Sequence, residues 1–216
     1  MNRAGPGRFI TFEGGEGAGK STQVKLLQAA LEAAGISVVA TREPGGSPGA
    51  EEIRALVLGG GVGRWDAVTE TLLFYAARRD HLEKLIRPAL ARGAWVLCDR
   101  FEDSTRAYQA SGGGVAASDL DGLGRLVRGD LTPDLTLILD LPVPLGRARA
   151  AGRNQGADRF EQRGNAFHER VRAAYLAIAV AEPDRCAIVD AGQPIDAVAL
   201  AIREIVAVRL KIATIR

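Results

Sequence analysis

An apolar stretch, Phe9-Ile10-Thr11-Phe12-Glu13, leads into Gly-Gly-Glu-Gly-Ala-Gly-Lys-Ser over residues 14–21. Glycine at that density also makes flexible linkers. A linker, however, is not preceded by a strand pattern and followed by apolar residues at 24, 27, 30/31 and 34, the spacing of one helix face. Within this order of strand, glycine loop and helix, Gly14 is followed after four residues by Gly19, Lys20 and Ser21, the spacing of a phosphate-binding P-loop. Glycines let successive backbone N–H groups turn inward and approach phosphate oxygens without a Cβ in the way. The helix that begins near Gly19 adds its free N–H groups and positive end. Lys20 supplies a mobile charge for the β- and γ-phosphates, and Ser21 a hydroxyl for Mg²⁺. Gly14, Gly15, Glu16, Gly17, Ala18, Gly19, Lys20, Ser21 and Thr22 are therefore expected to bind a nucleoside triphosphate.

The rest of the chain repeats the alternation. Strand patterns cover 8–13, 36–41, 94–99, 134–140 and 185–190. Helical patterns cover 19–34, 49–58, 66–91, 103–111, 118–129, 142–152, 164–181 and 194–210. The strands are continuous apolar runs such as Leu135-Thr136-Leu137-Ile138-Leu139, which suits a parallel sheet covered on both faces. No linker divides the 216 residues, so residues 1–216 are expected to form a single domain. A net charge of +2 argues against nucleic acid or a membrane surface as a bulk electrostatic partner. Cys98 and Cys186 sit in apolar strand patterns and read as buried free thiols. His81 and His168 lack ligand spacing. With no run of about 18 apolar residues and no signal-peptide core, the expectation is a cytoplasmic enzyme.

In such a sheet ligands gather beyond the carboxyl ends of the strands. After the second strand comes Thr41-Arg42-Glu43-Pro44-Gly45-Gly46, which is either a plain turn or a pocket wall. After the third come Asp99 and Arg100, readable as a surface ion pair or as an acid that orders Mg²⁺ beside an arginine that grips phosphate. Residues 145–163 carry Arg147, Arg149, Arg153, Arg159 and Arg163, interrupted by Gly152 and Gly156. A charge-rich helix is usually a solvated face. The glycines and Asn154-Gln155 favour a mobile flap, whose arginines could neutralise transition-state charge.

These pieces together resemble the thymidylate kinase family over nearly the whole chain. The matching stretches are Phe12-Glu13-Gly14 with the P-loop, Thr41 to Gly46, Phe74-Tyr75-Ala76-Ala77-Arg78, Asp99-Arg100, Ser104-Thr105-Arg106-Ala107-Tyr108-Gln109, Pro133-Asp134-Leu135-Thr136 and Asp158-Arg159-Phe160-Glu161. The resemblance implies the P-loop nucleoside monophosphate kinase fold, an α/β architecture with a five-stranded parallel sheet and helices on both faces. It implies ATP-dependent conversion of dTMP to dTDP with Mg²⁺, usually in a homodimer. Carried across, it implies that Phe74 stacks on thymine while Arg78, one turn on, points at the same base. Thr105 and Gln109 would complete the base edge and Tyr108 would crowd the sugar 2′ position. Arg54, Arg100 and Arg42 would hold the monophosphate, with Glu43 and Pro44 shaping its pocket. Glu13 would lie near the sugar 3′-hydroxyl and the metal, and Ser21 and Asp99 would complete the metal site. Residues 190–194 would form the loop beside adenine.

Some family members carry an arginine inside the P-loop, where this chain has Ala18. That assigns the catalytic cation to the flap, or LID, at about 147–163, with the acting residue being Arg153 or one of its neighbours Arg149 and Arg159. Lys20, Arg100 and Asp99 complete the expected catalytic set. A guanine-reading switch would need Asn-Lys-x-Asp, and the asparagines at 2, 154 and 165 stand in no such pattern.

Overall fold

The computed structural model describes residues 7–152 and 159–212. Five strands, β1 Phe9–Glu13, β2 Val38–Arg42, β3 Trp95–Asp99, β4 Leu135–Asp140 and β5 Cys186–Asp190, form one parallel sheet in the order β2-β3-β1-β4-β5. Each begins one or two residues later than its sequence pattern suggests. The central strand β1 is buried at every position, whereas the edge strands β2 and β5 are only partly covered. That explains the apolar runs, because a strand covered on both faces has no polar side to alternate with.

Helices α1 Lys20–Ala33 and α9 Ile195–Arg209 cover one face. Leu27 and Leu31 of α1 pack there with Ile10, Leu137 and Ile202, each burial contributing about 1.5–3 kcal/mol. The other face carries α3 Ala67–His81, its continuation, and α8 Asn165–Ala181. Between these lie α2 Pro48–Leu58, α5 Glu102–Thr105, α6 Ala117–Arg128 and α7 Val143–Ala151. Cys98 and Cys186 are free and buried, as the sequence suggests. Thr11 of β1 and Thr136 of β4 are buried side by side, and their hydroxyls bond one another at 2.8 Å, which removes the cost of burying either alone.

The helical stretch over 66–91 is unbroken but not uniform. After α3 the segment Leu82–Ile86 is π-helical, with the Arg87 N–H reaching back to Leu82 O, before α4 Arg87–Ala91 resumes. Pro88 lacks a donor for this ladder, and the widened turn lies directly before it. A second π segment, Arg106–Gly112, extends α5 and carries Tyr108 and Gln109. Such segments occur preferentially at functional sites.

Chain order and strand order diverge at β1: the connection from β1 crosses to the edge at β2, and the connection from β3 crosses back to β4. The crevice at that divergence is where the P-loop sits. Gly17 has φ +70, and a Cβ there would lie 2.0 Å from the carbonyl oxygen of Gly146 in α7. A Cβ on Gly146 would in turn lie 2.4 Å from Glu16 O. The P-loop and α7 meet backbone to backbone.

Candidate active site

A cleft of about 350 Å³ opens at the carboxyl ends of β1, β2 and β3. At its floor α1 starts from Gly19 at φ 86, with no side-chain cap and no acid in the first turn. A helix N-terminus without its own acceptor, facing a cleft, leaves N–H groups and a positive end for an anion. Lys20 is nearly buried and donates from Nζ to Gly14 O at 3.1 Å and Gly15 O at 2.9 Å. Burial, and then the charge of Arg100, lower its pKa to about 8. Ser21 donates from Oγ to Asp99 Oδ2 at 2.5 Å. Two hard oxygen donors so close suit Mg²⁺, which keeps several waters and shares a site with substrate phosphates. Among the described residues no cluster of three or more His, Cys, Asp or Glu side chains could hold a metal by itself.

Arg100 has a left-handed backbone, φ 71, which a non-glycine residue adopts at a cost of about 1–3 kcal/mol when its surroundings impose it. The surroundings are visible. Nη1 donates to Gly14 O, Ser104 Oγ and Tyr175 Oη, and Nη2 to Glu16 Oε1 at 2.7 Å and Tyr108 Oη at 3.2 Å. Tyr108 also donates to Glu16 Oε1 at 2.7 Å. Burial acts to raise the pKa of Glu16, but Arg100 and Lys20 outweigh it and hold the carboxyl at about 2.

Glu13 is placed differently from expectation. It is fully buried and accepts from the Phe101 N–H at 2.8 Å, Ser104 Oγ at 2.6 Å and Tyr175 Oη at 3.2 Å. Burial foremost, with Asp103 adding, pushes its pKa up to about 7. Ser104 lines the cleft and Glu13 stands behind it. Glu16, by contrast, lines the cleft and pairs with Arg100 at 2.7 Å.

The opposite wall gathers the residues expected around a monophosphate and base. The Glu43–Pro44 peptide is cis, and Arg54 Nη1 donates to Pro44 O at 2.7 Å. Arg42 pairs with Glu51 at 3.0 Å. Arg78 is 2% exposed and engages four donors: Nε with Glu43 at 2.7 Å, Nη1 with Glu102 at 3.1 Å, and Nη2 with Phe101 O and Thr105 Oγ1. That leaves one Nη1 proton for a ligand. Phe74 lines the same wall with its ring 5.9 Å from that of Phe160. Gln109 donates from Nε2 to the buried Glu70 at 2.8 Å.

With phosphate loop, arginine and base wall meeting in one cleft, the comparisons with known proteins become decisive. The family model described as thymidylate kinase matches residues 12–202. The chain belongs to the thymidylate kinase family. It is 61% identical over 204 residues to a thymidylate kinase of Caulobacter vibrioides, covering 94% of this chain and 98% of the other. It is 57% identical over 208 residues to one from Bradyrhizobium sp. strain BTAi1, covering 95% and 92%. The crystal structure of thymidylate kinase from Ehrlichia chaffeensis aligns with a TM-score of 0.77 at 35% identity, covering 94% of this chain and all of that one.

The structure separates the arginines expected on the LID. Arg149, at the end of α7, donates to Ala191 O at 2.8 Å in the loop after β5, the loop expected beside adenine. Arg159 is 2% exposed, pairs with Glu70 through Nη2 and donates from Nε to Val57 O. It is a buried anchor rather than the flap side chain its sequence surroundings suggest. Arg153 lies outside the described residues. Sequence reasoning passed over Glu16 except as one member of the loop. The signal was an acid among the variable P-loop positions with an Arg arriving after β3. Glu70 gave no signal, since an acid in the first turn of a helix reads as an ordinary favourable end charge.

Proposed function

We propose that this cleft carries out the family's reaction, ATP-dependent phosphorylation of dTMP to dTDP, by in-line transfer without a covalent intermediate. The observation that carries the reading is the cleft's two-sided construction. An uncapped helix N-terminus with Lys20 lies on one side, and a wall of Phe74, Arg78, Thr105 and Gln109 lies on the other. Gly14 to Thr22 bind the ATP phosphates, with Lys20 on the β- and γ-groups. Arg100, Arg54 and Arg42 receive the monophosphate, and Glu43 and Pro44 shape its pocket. Phe74 stacks on thymine, Tyr108 crowds the sugar, and Arg153 on the LID supplies the transition-state cation. Ser21 and Asp99 would hold Mg²⁺, which when bound neutralises charge on the transferring phosphates.

Residues 1–216 work as one kinase domain with a LID at about 147–163, and the enzyme acts in the cytoplasm. No described helix is long and apolar enough to cross a membrane. Leu56, Val68, Leu72 and Leu126 stand exposed on the adjoining helices α2, α3 and α6, which supports a homodimer.

A coupled ADP-release assay over a panel of monophosphates tests the reading. The donors of Arg78 suit the O4 acceptor of thymine and oppose the amino group of cytosine, a mismatch of about 1–3 kcal/mol. Deoxyuridine monophosphate loses only a methyl contact, about 1 kcal/mol. The expected order in kcat/KM is dTMP, dUMP, dCMP. Equal turnover of dCMP and dTMP would overturn the thymidylate assignment.

A further inference from the structure

Glu70 stands on α3 one turn before Phe74 and is 4% exposed. Its oxygens are divided between two partners: Oε1 accepts from Gln109 Nε2 at 2.8 Å, and Oε2 accepts from the Arg159 guanidinium. Gln109 is itself 2% exposed and lines the cleft. A carboxylate paired with an arginine offers acceptors only. The Gln109 amide nitrogen must therefore face Glu70, which leaves its carbonyl Oε1 as the end available to a ligand. Among the described residues no hydrogen bond to that oxygen is found, and it is not among the buried atoms sealed off without a partner. Four residues back on the same helical stretch, Thr105 Oγ1 accepts from Arg78 Nη2 at 3.0 Å, so its hydroxyl proton is left to donate.

We infer that Glu70 is a specificity-determining positioning residue: by fixing the Gln109 amide as an acceptor beside the donors of Thr105 and Arg78, it makes the wall read the protonated ring nitrogen of an imide base. This rests on the thymidylate reading and deepens it. Thymine and uracil present a carbonyl acceptor next to an N3–H donor, matching donor and acceptor in turn. Cytosine presents an amino donor next to a bare N3 acceptor and is opposed at both. Arg78 alone reads only the exocyclic group. Gln109 could turn to suit either base, because an amide is nearly symmetric in shape. Glu70 removes that freedom, and its pair with Arg159 keeps the carboxylate itself from turning away. A desolvated polar mismatch is the kind of contact that discriminates strongly.

The test is the ratio of kcat/KM for dTMP over dCMP in Glu70→Gln. The new amide gives its oxygen to Arg159 and its NH₂ to Gln109, so Gln109 reverses and presents its own NH₂ to the base. The ratio is expected to fall about tenfold to a hundredfold from wild type. The Arg78 contribution is common to both enzymes and cancels. If both substrates slow by one factor and the ratio stands, Glu70 is only a structural anchor for Arg159 and the inference is overturned. Glu70→Gln leaves Arg159 buried without its charge partner, which threatens folding. Glu70→Gln with Arg159→Leu avoids that, and Gln109→Leu leaves the ion pair whole. Each is expected to show the same fall, and an unchanged ratio in either refutes the inference. Wild type assayed alongside separates the two readings. Failure of wild type to phosphorylate dTMP removes the thymidylate assignment, while a dTMP-selective wild type whose variants keep the ratio removes only the role of Glu70.

Discussion

Replacing Glu13 by Gln should stabilise the protein above neutral pH and do little below pH 5. Glu13 is fully buried, and burial followed by the charge of Asp103 moves its pKa from 4.5 to about 7. Below 4.5 folded and unfolded chains both hold the proton. As pH rises past 4.5 the unfolded chain releases it while the folded one keeps it, so stability falls until about pH 7 and the full cost persists above. At about 1.4 kcal/mol for each tenfold in proton affinity, the cost reaches about 3 kcal/mol. The Phe101 N–H can donate to the new carbonyl, and the hydroxyls of Ser104 and Tyr175 can accept from the new NH₂. Urea unfolding of both proteins at pH 5 and pH 8 measures the effect. His168, whose pKa burial lowers, works in the opposite direction but equally in both proteins, so the difference between them isolates Glu13. A stability difference that stays flat from pH 5 to pH 8 would refute the assignment of a buried, proton-holding carboxyl.

Lys20→Met removes a buried ammonium whose pKa has fallen from 10.5 to about 8. The ligand-free protein should therefore gain about 1–3 kcal/mol at pH 7 in a denaturant titration, a gain that shrinks between pH 8 and 10.5. The same change should lower kcat about 10²–10³-fold; a variant that keeps half of wild-type kcat would remove Lys20 from the phosphate site. Gly146→Ala adds a Cβ 2.4 Å from Glu16 O, so P-loop or α7 must shift, with a cost of about 1–3 kcal/mol. A melting temperature and a KM for ATP both unchanged from wild type would show that the two backbones are not in tight contact.

The strands and their covered sheet were legible because burial on both faces leaves an uninterrupted apolar run, as at Leu135–Asp140. The P-loop was legible because its spacing is local. What lay hidden depends on partners distant in sequence. Arg159 looks like one more charge on a solvated flap, yet its partner Glu70 stands 89 residues away. Glu13 looks like an acid at a strand end beside a metal, but Ser104 and Tyr175 arrive from α5 and α8 and enclose it. The π segments at 82–86 and 106–112 shift the turn by one residue, too little to disturb an apolar periodicity. The pairing of Arg78 with Glu43, 35 residues earlier, turns an apparent free reader of the base into the hub of a buried network.

The touching glycines of the P-loop and α7 set a mechanical boundary condition. Where side chains meet, a rotamer change or a small rearrangement lets one element slip along another. Between Gly17 and Gly146 only main-chain atoms meet, and nothing there can fold out of the way. The close approach leaves no side chain between the loop and α7. Arg147 and Arg149 follow within three residues, so their lever arm is measured from the cradle of the phosphates by covalent geometry. The spacing of these arginines from the P-loop is therefore set by main-chain contact at Gly17 and Gly146 rather than by side-chain packing.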